Sequence, residues 1–178
     1  MSRARRFFDW LIRLRGSPRS IAGGVAVGMV VAFTPTIGLQ TLLALGLATL
    51  LGANRPVSIV PTWITNPVTI PPVYGFTYYL GSFFWPGPEL ERVRDVMRVV
   101  ARDIGELDFL ALGDQLDVFL ALGVDVFVPM WIGGLIVGGV AAAVSYPVTF
   151  RVVVELRKRA ERRRSRKGRE RRTRRRRR

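Results

Sequence analysis

The side chains best placed for polar chemistry in this sequence are uncharged and stand where apolar runs are interrupted: Thr34, Gln40, Thr62, Thr65, Asn66 and Thr69. Each carries a hydroxyl or amide that can satisfy a backbone group set free at a helix break, or hold a polar ligand. The two uses compete for the same atoms, and stitching of broken helices is the more ordinary of them. Arg19 and Arg55 stand at the ends of the apolar runs. A guanidinium there can meet a phosphate or simply snorkel to the headgroups, and snorkelling is favoured.

Much other chemistry is excluded. The chain has no cysteine and no histidine, which removes disulfides, thiolate nucleophiles, the usual zinc sites and imidazole acid–base catalysis. Apart from Asp9 and three glutamates near the end, the carboxylates all lie in residues 89–125. Asp103, Asp108, Asp114 and Asp117 could gather a hard metal ion, but their spacing matches no known ligand loop, and an acidic surface helix is the ordinary explanation. No catalytic residue, metal ligand or cofactor is assigned, and the balance is against an enzyme.

The elements that must carry these residues are unusual for a soluble domain. The hydrophobic fraction is 49% although 23% of the 178 residues are charged, and between residues 20 and 88 the sole charged side chain is Arg55. A soluble core of that length would show a polar face, so the block reads as lipid-embedded. An apolar run over 21–33 stops at Thr34-Pro35-Thr36 and resumes over 37–51. Each half is shorter than the roughly 20 residues that cross a hydrocarbon core of about 30 Å. Two architectures fit, a re-entrant hairpin that enters and leaves on one side, or one long kinked span with an excess turn; the hairpin is favoured. Backbone freed at Pro35 and Gly38 must in either case be enclosed by protein or line a wet cavity. A cleavable signal peptide is not expected, because no small-x-small site follows Phe33 and further hydrophobic segments come directly after.

A second interrupted segment repeats the design, with 57–64, the break Thr65-Asn66-Pro67, and 68–85. Paired, Pro-interrupted apolar segments are a pointer to a membrane binding site. Residues 126–150 then form 25 residues without a charge, containing Gly134-x-x-x-Gly138 and Ala141-Ala142-Ala143. This is long enough to span, and its small residues permit close helix contact.

Three charged regions frame this body. Residues 1–19 read as an interfacial amphipathic helix, with Phe7, Phe8, Trp10 and Leu11 opposed to arginines; an amphipathic helix docked on protein is the alternative. Residues 89–125 form an acidic helical connection with nine acids and four arginines, in which Leu90, Val93, Met97 and Val100 recur at helical spacing and Phe-Leu-Ala-Leu-Gly occurs twice, at 109–113 and 119–123. From residue 151 onward lie 17 of the 28 Lys and Arg residues against three glutamates, which supplies +14 of the net charge of +15. The first part of this basic tail is expected to continue the last helix and the rest to be disordered, since it cannot bury enough surface to fold. Anionic headgroups are its expected partner at roughly 1 kcal/mol per basic residue. Nucleic acid is the lesser reading, because the tail has neither stacking aromatics nor a groove-reading motif. Six arginines before Ser20 and the tail belong inside, and the acidic connection outside.

The motif Ser17-Pro18-x-x-Ile21-Ala22-x-Gly24, with Gly28, Phe33-Thr34-Pro35, Gly38-Leu39-Gln40, Asn54, Thr62-Trp63-x-Thr65-Asn66-Pro67-x-Thr69-x-Pro71-Pro72-x-Tyr74 and Tyr78-x-Leu80-Gly81, resembles the bacterial membrane family called domain of unknown function 2062. The resemblance runs roughly over residues 15–146, and the arginine tail departs from it. It implies an inner-membrane protein and supplies no established activity; the apolar segments make the expected course multi-pass, and the charge asymmetry puts both termini on the cytoplasmic side. The candidate ligand set is Thr34, Gln40, Thr62, Trp63, Asn66, Thr69 and Tyr74, with Arg19 and Arg55 as headgroup contacts. The fold expected is an all-α integral membrane protein. Transport or lipid handling through a polar pocket between the broken helices is the leading function, with a homo-oligomer expected from the chain's small size. A non-enzymatic membrane scaffold or assembly factor is the alternative.

Overall fold

Prolines and short polar caps set the element boundaries. In the computed structural model, which describes residues 16–36, 38–103 and 123–176, the regular elements are all helical: α1 Pro18–Phe33, α2 Gln40–Leu50, α3 Arg55–Ile59 running into a 3₁₀ turn Val60–Ile64, α4 Ile70–Gly81, α5 Leu90–Asp103 and α6 Val124–Arg176. The expected amphipathic stretch before Gly16, the repeat centred on 109–122 and the acids Asp108, Asp114 and Asp117 lie outside the described residues. Ser17 caps α1 by accepting from the Ser20 N–H at 3.1 Å, with Pro18 in the first turn. Extended backbone at Thr34 (ψ 144°), followed by Pro35, ends it. Asn54 caps α3 in the same manner, its side chain accepting from the Val57 N–H at 3.3 Å. Gly38 and Gly52 take left-handed φ values of 80° and 62° in the turns before and after α2, where other residues would be strained.

After α2 the chain returns to the start of α1. The Asn54 N–H donates to the Ser20 carbonyl at 2.9 Å, and Ser20 Oγ donates to the Gly52 carbonyl at 3.2 Å. Residues 54–64 then run along α1 a second time, Gly24 against the Asn54 carbonyl and Gly28 against Ser58 and Pro61. Helix α6 is the common wall. Its Gly134 and Gly138 meet the backbone of Phe33 and Val30 in α1, Gly133 meets the Thr77 carbonyl in α4, and Gly81 of α4 meets the Pro129 carbonyl. Both α1 and α4 therefore run antiparallel to α6, α4 beside its beginning and α1 further along, where Val153 packs with Ile21 and Val57. A second cluster, Ile70, Tyr74, Tyr78, Val93, Met97, Val126 and Met130, joins α4, α5 and the start of α6. Val93 and Met97, expected on the apolar face of an amphipathic helix, fill that cluster.

Elsewhere the size pattern is reversed from that of a soluble core. On α2 the buried positions are Gln40, Ala44 and Ala48, while Leu42, Leu43, Leu47 and Leu50 are exposed. On α6 the buried positions include Gly133, Gly134 and Gly138, while Leu135, Ile136, Val140, Val144 and Val148 are exposed. Within α6, Val124–Arg162 is long and apolar enough to cross a membrane.

The first part of the basic tail continues the last helix as expected, and the expectation of disorder beyond it is corrected, because α6 runs as helix through Arg176. Arginine, lysine and glutamate are good helix formers, and a helix already nucleated by packing over Val124 to Val153 propagates at little cost per added residue. Glu155 and Arg159 add an exposed i,i+4 pair at 3.1 Å.

The glycine contacts predict opposite outcomes at two neighbouring sites. Gly133→Val drives a side chain into the Thr77 carbonyl and should destabilise the detergent-purified protein by roughly 1–3 kcal/mol or more. Gly139→Ala meets nothing within 4 Å and should stabilise by up to about 1 kcal/mol through helix propensity. Thermal unfolding of the two variants beside the wild type measures both.

Candidate functional site

Every helix break leaves carbonyls and N–H groups without helical partners, and here side chains from the two broken segments supply them. At the end of α1, Thr34 Oγ1 donates to the Val31 carbonyl at 2.8 Å and lies 3.2 Å from Thr36 Oγ1. The Thr34 carbonyl accepts from the Tyr74 hydroxyl at 3.1 Å. Tyr74 in turn accepts from Gln40 Nε2 at 2.8 Å, and Gln40 Oε1 accepts from the Thr65 hydroxyl at 2.8 Å. Thr65, Gln40, Tyr74 and Thr34 thus form one directed chain of hydrogen bonds joining the break after α1 to the break before α4.

In that chain the Gln40 amide turns its Nε2 to Tyr74 and its Oε1 to Thr65, and the Thr34 carbonyl takes the Tyr74 proton as a second donor beside the Thr36 N–H at 2.8 Å. Tyr74 is fully buried, and Gln40 and Thr34 nearly so. Unpaired polar groups at such positions are costly, so the pairing of each is a condition of the fold.

The remaining candidates divide. Thr62 is buried, but its hydroxyl donates to the Ile59 carbonyl at 2.7 Å; it reaches the junction through its own carbonyl, 3.0 Å from Thr65 Oγ1. Asn66 and Thr69 cap one another reciprocally at the entry to α4. Asn66 Oδ1 accepts from the Thr69 N–H at 3.1 Å and Thr69 Oγ1 accepts from the Asn66 N–H at 2.9 Å. Trp63 is 77% exposed and stands outside the junction. Arg19 and Arg55 are exposed at the opposite end of α1. Sequence reasoning missed Ser58, whose buried hydroxyl ties α3 to the Ala44 carbonyl of α2 at 3.1 Å. A lone hydroxyl inside the apolar run 57–64 was its available signal. It also missed the buried indole N–H of Trp131, which has no hydrogen-bond partner among the described residues.

Residues 1–163 match a family described as uncharacterised proteins conserved in bacteria (DUF2062). The chain belongs to that family. No curated protein and no solved structure matches it. The resemblance seen in the motif residues is therefore borne out, over a longer stretch than the motifs themselves cover. All the junction residues fall within the DUF2062 match, and the match ends inside the basic part of α6.

Chemically, the DUF2062 junction offers hydroxyls, one carboxamide and backbone carbonyls, without an ionised group. Among the described residues no group of acids is arranged to hold a metal ion. The site can exchange hydrogen bonds with an uncharged polar group and can couple movements of its two breaks. Tyr74→Phe removes the shared hydroxyl, strands Gln40 Nε2 and leaves the Thr34 carbonyl only its Thr36 N–H donor, so a loss of about 1–3 kcal/mol is expected. The cost of Gln40→Leu should overlap with it, giving a double-mutant coupling of at least about 0.5 kcal/mol in thermal or denaturant unfolding.

Proposed function

We propose that the protein is a multi-pass protein of the bacterial inner membrane, with both termini cytoplasmic, that handles a lipid or a small uncharged solute at the junction of its broken segments. The membrane part of this reading rests on the reversed size pattern. Alanines, glycines and Gln40 face inward on α2 and α6 while leucine, isoleucine and valine face outward, and such a surface is stable when its solvent is hydrocarbon. In water it would be a large apolar patch on two separate helices.

The reading is supported by how the exposed side chains divide along the bundle. Aliphatic residues such as Leu47, Val140 and Val148 occupy the part beside α1, whereas Phe76, Tyr79, Phe83, Phe84 and Trp85 are exposed on and after α4. Aromatic side chains favour the membrane–water interface. Helix α5 packs on α4 in this same region and exposes Arg92, Arg94, Asp95 and Arg98, which suits a position beyond the hydrocarbon. In this arrangement α1 and α2 form a hairpin returning to the cytoplasmic side, residues 55–85 lead outward, and α6 returns. Sixteen residues of α1 rise about 24 Å, so the junction at its tip lies towards the outer face of a core of about 30 Å.

Handling of a ligand is supported by one observation, the meeting of polar groups from both interrupted segments at a single buried point. A second reading, a non-enzymatic membrane scaffold, is favoured by the pairing of each junction side chain with a protein group already.

The absence of cysteine makes the topology directly testable by single-cysteine labelling. Pro86→Cys should react with a membrane-impermeant maleimide in intact spheroplasts, and Leu51→Cys only after permeabilisation; external labelling at residue 51 would overturn the hairpin. For the function, Gln40→Ala protein in liposomes should translocate labelled phospholipid or a polar solute more slowly than wild type. Normal insertion with wild-type behaviour of both Gln40→Ala and Asn66→Ala in such assays would sink ligand handling and leave the scaffold.

A further inference from the structure

The end of the bundle opposite the junction gathers arginines from three elements far apart in sequence. Arg19 lies in the first turn of α1 and Arg55 begins α3. Their neighbours Ser20 and Asn54 are joined backbone to backbone at 2.9 Å, which brings the two arginine positions together. From α6, Arg157 Nη2 donates to the Gly16 carbonyl at 2.7 Å, closing the third side. Arg19 and Arg55 are exposed, and neither is ion-paired with a carboxylate among the described residues. Glu155, on the neighbouring turn of α6, is engaged by Arg159.

The chain next to these arginine positions carries uncovered apolar side chains. Leu50 and Leu51, at the end of α2, are 82% and 70% exposed. They directly precede Gly52, whose carbonyl is held by Ser20 Oγ. Leu47 continues the same exposed face one turn back. A free anion would use the arginines and leave the leucines in water. A molecule with a phosphodiester joined to acyl chains uses both at once.

We propose that this corner binds an anionic phospholipid, its phosphodiester between Arg19 and Arg55 and an acyl chain along Leu47, Leu50 and Leu51. The inference rests on the membrane reading above and names a lipid partner for its cytoplasmic side. Two arginines at adjoining positions that turn to one phosphate would give it charge-assisted, geometrically specific contacts. Headgroup attraction to the basic extension of α6 is a separate, diffuse effect that stays constant when residues 19 and 55 change.

Native mass spectrometry of the full chain, released from mixed micelles holding equal amounts of phosphatidylglycerol and phosphatidylethanolamine, tests the site. The wild type should retain phosphatidylglycerol, and the double variant Arg19→Gln, Arg55→Gln should retain it roughly tenfold less. Arg94→Gln, at the α4–α5 end, should leave retention unchanged. Wild-type retention by the double variant, an equal loss in Arg94→Gln, or displacement of the lipid by excess inorganic phosphate would each overturn the site. Thermal unfolding of the wild type provides a reading that needs no variant, since phosphatidylglycerol should raise the midpoint and phosphatidylethanolamine should not. Equal shifts would count against the proposal. Protein recovered in the soluble fraction without detergent would sink the membrane reading itself, whereas inserted protein without lipid preference sinks this site alone.

Discussion

The contact on which the rest of the structure depends is the close approach of α6 to the backbones of α1 and α4. Gly133, Gly134 and Gly138 have no side chain to keep the helices apart, so carbonyl and Cα atoms of Thr77, Phe33 and Val30 meet the α6 backbone directly. In the membrane proposed above, the surroundings are as apolar as the side chains, and burial of apolar area offers no preference for one helix face over another. Dispersion between closely packed backbones then decides the pairing. Once small residues hold the inner faces, the large aliphatic ones are left outside, and the reversed size pattern of α2 and α6 follows.

That packing also sets the position of the polar junction. Gly134 against Phe33 fixes the end of α1, and Gly133 against Thr77 fixes α4 one turn beyond Tyr74. The two helix breaks are thereby held next to one another. Pro35 and Pro67 interrupt the chain beside buried or half-buried residues, and the carbonyls released there need donors. The carbonyls of Val31, Thr34, Ile59 and Ile64 all accept side-chain hydroxyl protons from the junction and its flanks. Each break satisfies most of its own carbonyls, and the bonds of Gln40 and Tyr74 link the two, with Tyr74 as the shared member.

The two ends of the bundle differ in chemistry and so give it a direction. At one end, where Asn54 meets Ser20, Arg19 and Arg55 are exposed, and Leu50 and Leu51, shortly before Arg55, are uncovered. At the other, exposed aromatics follow α4, and α5 turns its apolar side onto Tyr74 and Tyr78 and its charges outward. Between them lies a body that, from residue 20 to 88, carries a single charge. This polarity is already present in the order of residues along the chain, and the antiparallel return of α6 brings its basic part back beside Gly16.

Composition alone made the helical class, the interruptions at Pro35 and Pro67, the long apolar helix beginning near Val126 and the apolar face of α5 legible, because each is a local pattern of period and punctuation. The small-residue motif at Gly134 and Gly138 was legible for the same reason, and the motif residues pointed to the right family. The helical state of the later part of the basic tail, through Arg176, was not, since low complexity says what a segment cannot bury and nothing about how far a helix propagates into it from a packed neighbour. Nor could spacing reveal that Tyr74 is the centre of the junction while Trp63 stands outside it and Asn66 serves as a cap. Gln40 and Tyr74 are 34 residues apart, and their meeting depends on where α1 and α4 both lie against α6. The sequence by itself determined which residues could carry hydrogen bonds without charge; the tertiary structure decided which of them share one, because partners across a helix break are chosen by backbone packing elsewhere.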